Sequence, residues 1–170
     1  MSGMRENGKS AARRAYLGIS RGIITKSDDS KRMQEVGVEG FKGEAHSNVE
    51  HWHPFGFSSR PKAPDGGKHA EALIAYVGGS RSHPVVIATA DRRHRPKNLK
   101  EGEACLHDSS GQEVRLTEDG IVVSSAKKIT MKVGDTVVVV TPDKVFLGSE
   151  SATKRIKLED NSASTKVYSV

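Results

Sequence analysis

The chain has 170 residues, a net charge of +6, and only 35% apolar and 5% aromatic residues. So little apolar material makes one well-filled core hard to build, and it favours a thin, elongated or oligomeric protein whose core is completed by partner chains. The single cysteine, Cys105, excludes an internal disulfide, no apolar run approaches the ~18 residues of a membrane span, and no apolar signal core follows the basic N-terminus, so a soluble protein of a reducing cytosol is expected.

Residues 1–14, MSGMRENGKSAARR, are polar and read as a mobile arm or short helix. Gly3, Gly8, Lys9 and Ser10 satisfy the phosphate-loop pattern, but only two residues precede Gly3, so no strand feeds the loop. From Tyr16 to Thr25 the chain turns β-like, and the acidic turn KSDDS ends the run. Gly18, Ser20 and Gly22 satisfy the nucleophile-elbow pattern, yet Ile23 and Ile24 continue as strand where that motif needs a helix. Ser20 is therefore read as an ordinary strand serine. RMQEVGVEGF alternates as a second strand.

His51 and His53 would share one face of a strand. No cysteine or second nearby carboxylate completes a metal set beside Glu50, and Trp52 and Phe55 favour a packed loop there. HPFGFSSRPKAPDGG reads as a long loop. EALIAYV suits a helix or a strand on propensity; Gly78-Gly79 and the following PVVIATA favour a hairpin. DRRHRPKNLKEGE is a charged connector. It also marks a change of charge, because residues 1–100 carry 18 Lys/Arg against 10 Asp/Glu, whereas residues 101–170 carry 9 against 11. A basic front part suits nucleic acid or an acidic protein surface.

Beyond the connector, turn signals recur at Ser109–Gly111, Glu118–Gly120, Ala126–Lys128, Gly134-Asp135 and Pro142–Lys144, the mark of short successive strands. Ile121, Val123, Ile129, Met131, Val133, Val137, Val139, Val145 and Leu147 all hold odd positions, which predicts a regular meander with one apolar face. Val122, Val138 and Val140 interrupt the other face. No helix is available to cover the apolar side. Three or more copies about an axis would bury the faces and pair the sheet edges.

These residues also carry a resemblance. HPFGFSSRP is similar to an aromatic-Gly-Phe-Thr/Ser-Ser-x-Pro loop of the central spike proteins of Mu-like contractile phage tails, the baseplate assembly protein V family. EALIAYVGGSRSHPVVIATADRRHRP resembles the strand, Gly-rich turn, strand and Asp-Arg-Arg-x-Arg-Pro run of that family, and LKEGEACLHDSSGQEVRLTEDGIVV its Gly-Glu start of the shaft. The likeness covers roughly residues 15–150. It implies an all-β chain: an N-terminal OB-like β-barrel over 15–104, a trimeric intertwined β-helix shaft over 105–150 and a tip region over 151–170. It also implies a homotrimer on the baseplate axis, seated on a hub protein and driven through the target cell outer membrane when the sheath contracts. The expected location is the virion or a tail-like particle, assembled in the host cytoplasm. The trimer core is then expected from Val123, Ile129, Met131, Val133, Val137, Val139, Val145 and Leu147.

Several relatives carry a His-x-His pair that binds iron at the tip. This chain has no histidine after His107, so neither iron nor any other cofactor or metal is carried over. Two ends are left open: a blunt one closed by Val167, Tyr168 and Val170, or one capped by a separate tip protein. No catalytic residue is assigned and no nucleic acid is expected. The alternative reading is an OB-fold protein that binds single-stranded nucleic acid through basic residues and stacking aromatics. The low aromatic content and the acidic second half count against it.

Overall fold

A computed structural model describes residues 18–41, 43–158, 160 and 162–170. The phosphate-loop look-alike and the expected N-terminal arm lie outside the described residues. The chain divides into two compact units between Arg95 and Pro96. Among the described residues it is all-β, with a single 3₁₀ turn at Val77–Gly79 and no α-helix.

The first unit is a five-stranded closed barrel. Its strands are β1 (Ile19–Asp28), β2 (Gln34–Glu39), β3 (Ala45–His51), β4 (Glu71–Tyr76) and β5 (Pro84–Ala90). They close in the order β1-β2-β3-β5-β4, with β3 and β5 parallel and the other neighbours antiparallel. This is the connectivity of an OB-type barrel. The ambiguous segment EALIAYV supplies β4, paired with β5 from Glu71↔Ala90 to Tyr76↔Pro84, as the hairpin reading expects.

Alternation explains the core. Ile24, Val36, Val38, Val49, Ala72, Ile74, Tyr76 and Val86 point inward and are buried together with Ala70. Register shifts in β1, β2 and β4 bend the strands so that a small sheet can close. Gly22 sits where two strands approach closely: a Cβ there would lie 2.6 Å from the Glu39 carbonyl oxygen and 2.8 Å from Ile74 Cδ1. Ser20 is buried, and its hydroxyl is 3.0 Å from that of Tyr76 inside the barrel. The nucleophile-elbow pattern is thus a stretch of barrel wall.

The second unit holds two sheets. The first is a meander of β6 (Ala104–His107), β7 (Glu113–Thr117) and β8 (Gly120–Ser124). Its first turn is tied by Asp108, whose carboxylate accepts from the backbone N–H groups of Gln112 and Ser110; these bonds hold its pKa below the usual carboxylate range. The other sheet runs in the order β12-β13-β11-β10-β9. Its members are β9 (Ile129–Val133), β10 (Thr136–Val140), β11 (Val145–Leu147), β12 (Lys154–Lys157) and β13 (Ala163–Ser169). Within one chain, residues of the expected tip region thus return to this sheet, with β13 parallel to β11 through Val145↔Val167 and Phe146↔Tyr168.

Candidate functional site

The register of the second unit decides which side chains share a face. In the first sheet Ala104 pairs with Leu116, Leu106 with Val114, Val114 with Val123, and Leu116 with Ile121. Cross-strand partners point the same way. One face is therefore entirely apolar: Ala104, Leu106, Val114, Leu116, Ile121 and Val123. Its four largest members apart from Val114, namely Leu106, Leu116, Ile121 and Val123, stand exposed on the single chain. The other face carries Cys105, His107, Glu113, Arg115 and Ser124, with Val122 among them. There Arg115 donates to Glu113 at 3.0 Å, and this bond pulls the Glu113 carboxyl down in pKa. Cys105 lies beside the same carboxylate, and burial followed by that neighbour raises its thiol pKa.

The five-stranded sheet repeats the plan with one correction to the sequence reading. Val133 pairs with Thr136 across the two-residue turn Gly134-Asp135, so Met131 faces the same way as Val138 and Ile129 the same way as Val140. Val138 in turn pairs with Leu147, and Val140 with Val145. The apolar face is thus Ile129, Met131, Val133, Val138, Val140, Val145, Leu147 and, through β13, Val167. Val137 and Val139 do not share it. They lie on the opposite face with Thr130, Lys132 and Phe146, because a two-residue hairpin pairs i with i+3 and so exchanges odd for even. Val139 is already buried within one chain, at 2% exposure, whereas Met131 and Val133 are 60% and 84% exposed.

The eight residues expected on a common apolar face therefore divide three ways. Val123 sits on the first sheet, and five lie on the apolar face of the second, Met131 and Val133 exposed and Ile129, Val145 and Leu147 half-buried; Val137 and Val139 lie behind it. Val138 and Val140, which the sequence pattern sets on the interrupted polar face, belong with the five. The signal that could have placed them is the length of the Gly134-Asp135 turn. Of the expected tip residues, Tyr168 lies on the back face against Phe146, ring centroids 5.9 Å apart, with Lys144 Nζ 4.8 Å from its ring centre. Val167 joins the apolar face half-buried, and Val170 is exposed. A Cβ on Gly148 would meet Val170 Cγ2 at 2.7 Å, so the chain end crosses close over that glycine.

The barrel carries further titratable groups. His51 is buried in its wall at 2% exposure. Its Nδ1 lies 2.8 Å from Gln34 Oε1, and Gln34 Nε2 donates to Asp29 and to the Ser59 carbonyl. Burial first, then the charge on His53, whose ring centroid is 4.0 Å away, pushes the His51 pKa down to about 4. His51 belongs to the barrel wall and His53 to the loop that leaves it, and among the described residues no three His, Cys, Asp or Glu side chains are grouped to hold a metal ion. The charged connector is engaged with the protein itself. Arg93 donates to Asp91 and to the carbonyls of Ala63 and Lys68, and Arg92 pairs with Glu71. Arg93 foremost holds the Asp91 pKa low.

An OB-type barrel followed by two sheets, each with one apolar face left partly exposed, defines the class: an all-β protein whose second half has apolar surface left to cover. The barrel matches a known family model. Residues 21–93 fit that of the N-terminal region of bacteriophage Mu Gp45. Over 150 residues the chain is 30% identical to the baseplate puncturing device gp45 of Escherichia phage Mu, a span that takes in 88% of this chain and 74% of that protein. It is 32% identical over 114 residues to the Mu-like prophage FluMu protein gp45 of Haemophilus influenzae, covering 67% of this chain and 59% of that protein. The chain belongs to the Mu Gp45 family of baseplate spike proteins.

Proposed function

We propose that this chain is the central spike of a contractile phage tail or tail-like particle. It acts as a homotrimer on the baseplate axis, its barrels seated on a hub protein. Its second unit, intertwined with two other copies into a β-helical shaft, is driven through the target cell outer membrane on sheath contraction. The role is mechanical, without a catalytic residue.

The observation that carries this reading is the pair of apolar faces left partly exposed on the single chain, with Leu106, Leu116, Ile121 and Val123 open on one and Met131, Val133 and Val140 on the other. Such faces mark association, since soluble monomers rarely expose contiguous apolar surface beyond a few hundred Å². Each fully buried Val, Leu, Ile or Met contributes about 1.5–3 kcal/mol, so joining the faces of three chains is strongly favourable. A closed ring of copies also leaves no free strand edges. Family membership supplies the setting, since the Mu relative bears the name of a baseplate puncturing device.

The test is placement. A gold-labelled antibody to the chain should mark the distal end of the tail axis in electron micrographs of assembled particles. Label confined to capsids, or to soluble protein that never joins a particle, would remove the reading.

A further inference from the structure

The chain has four Phe, three Tyr and one Trp. Three of these rings, Trp52, Phe55 and Phe57, fall within one loop of the barrel, and all three are exposed, Phe55 completely. The loop is not slack. Trp52 N–H donates to the Val86 carbonyl at 2.9 Å, and Phe57 N–H closes a turn on the Pro54 carbonyl at 3.1 Å. Gly56 takes a positive φ of 85° to allow that turn. On the far side, Gln34 Nε2 holds the Ser59 carbonyl, and Arg60 donates to the Ser27 hydroxyl and carbonyl at 3.0 and 2.8 Å. Arg93 grips the carbonyls of Ala63 and Lys68 further on. The turn that displays Phe55 is thus braced on both sides. Such a projection loses little conformational entropy on binding.

We propose that this loop is the docking knob of the barrel: Phe55, flanked by Trp52 and Phe57, enters an apolar pocket on another protein of the baseplate. The pocket is ringed by carboxylates that face Arg60, Lys62 and Lys68. This rests on the baseplate role proposed above. A buried aromatic anchor with a charged rim is the usual construction of an energetically dominant contact. Lys62 and Lys68 form no ion pair among the described residues, and the only acid between them is Asp65. The same rings beside basic residues could stack on single-stranded nucleic acid. Against that, a stacked strand needs free cations to track its backbone. Arg92 and Arg93, which could otherwise track such a backbone, are paired with Glu71 and Asp91.

The test follows the full-length chain in cells that produce the particle, comparing wild type with the double variant Phe55→Ala, Phe57→Ala. Phe55 is fully exposed and Phe57 is exposed with one edge-on contact to His53, so the variant should keep its oligomeric mass and lose little in thermal midpoint, and Phe55→Ala alone should lose none. Wild type should co-sediment with assembled particles on a density gradient, and the variant's share in that fraction should fall about tenfold or more. Lys62→Glu with Lys68→Glu should reduce it in the same direction. A photo-crosslinking residue at position 55 should join the chain to a different particle protein. Equal co-sedimentation of variant and wild type would overturn the proposal. A crosslink only between copies of this chain would also overturn it, as would loss of oligomeric mass in the folded variant. Quenching of Trp52 fluorescence by oligo-dT, abolished by the variant, would replace it with a nucleic-acid contact. Wild type that never joins the particle would instead remove the baseplate role itself.

Discussion

His51 is held neutral inside the barrel wall, with a pKa pushed down to about 4 against 6.5 for a free imidazole. The unfolded chain therefore binds a proton between pH 6.5 and 4 that the fold refuses. Stability is full above pH 6.5 and falls as the pH drops through that window. At about 1.36 kcal/mol per pH unit the loss is on the order of 3 kcal/mol by pH 4. Thermal midpoints measured across pH 7 to 4 should decline for the wild type and flatten in His51→Gln, which lacks the titrating ring. Parallel curves for the two proteins would show that another group sets the acid sensitivity. The histidine was visible in the sequence, but its burial was not. That comes from the pairing of Gln34 with His51 across β2 and β3 and from closure of the barrel around them.

At the scale of the element, the five-stranded sheet offers a paired test. Val139 is buried within one chain, whereas Val133 is bare. Val139→Asp should place an unpaired carboxylate in the interior of the sheet and cost several kcal/mol, enough to unfold this part of the chain. Val133→Asp should leave the single chain folded but, in the proposed trimer, bring three like charges together at the axis, so its assembly should fail. Circular dichroism separates the first outcome and solution mass the second. A fully stable trimer of Val133→Asp would show that this face does not point inward. The strands themselves were legible in the sequence, because alternation and turn residues give β9, β10 and β11 directly. The faces were not, because each tight hairpin exchanges the parity of the strands it joins. Barrel closure was also hidden. It depends on pairing β1 with β4 and β3 with β5, partners far apart in sequence that no local pattern announces.

At the scale of the whole molecule, the two units divide the work. The barrel has a self-contained core. The second unit leaves its apolar faces partly exposed and is completed, in the proposed function, only by other copies. The end of the shaft is proposed to be metal-free. Downstream of Cys105 the only imidazole is His107, which lies on the polar face of β6 beside Glu113. Elemental analysis of the purified protein should find no stoichiometric iron; one iron per three chains would contradict this and point to His51 and His53. The central claim is that the bare faces meet one another. Its most direct test is the mass of the full-length chain in solution, by sedimentation equilibrium or light scattering at several concentrations. The account predicts three times 18.4 kDa, maintained on dilution. A stable, folded species at the mass of one chain would contradict it.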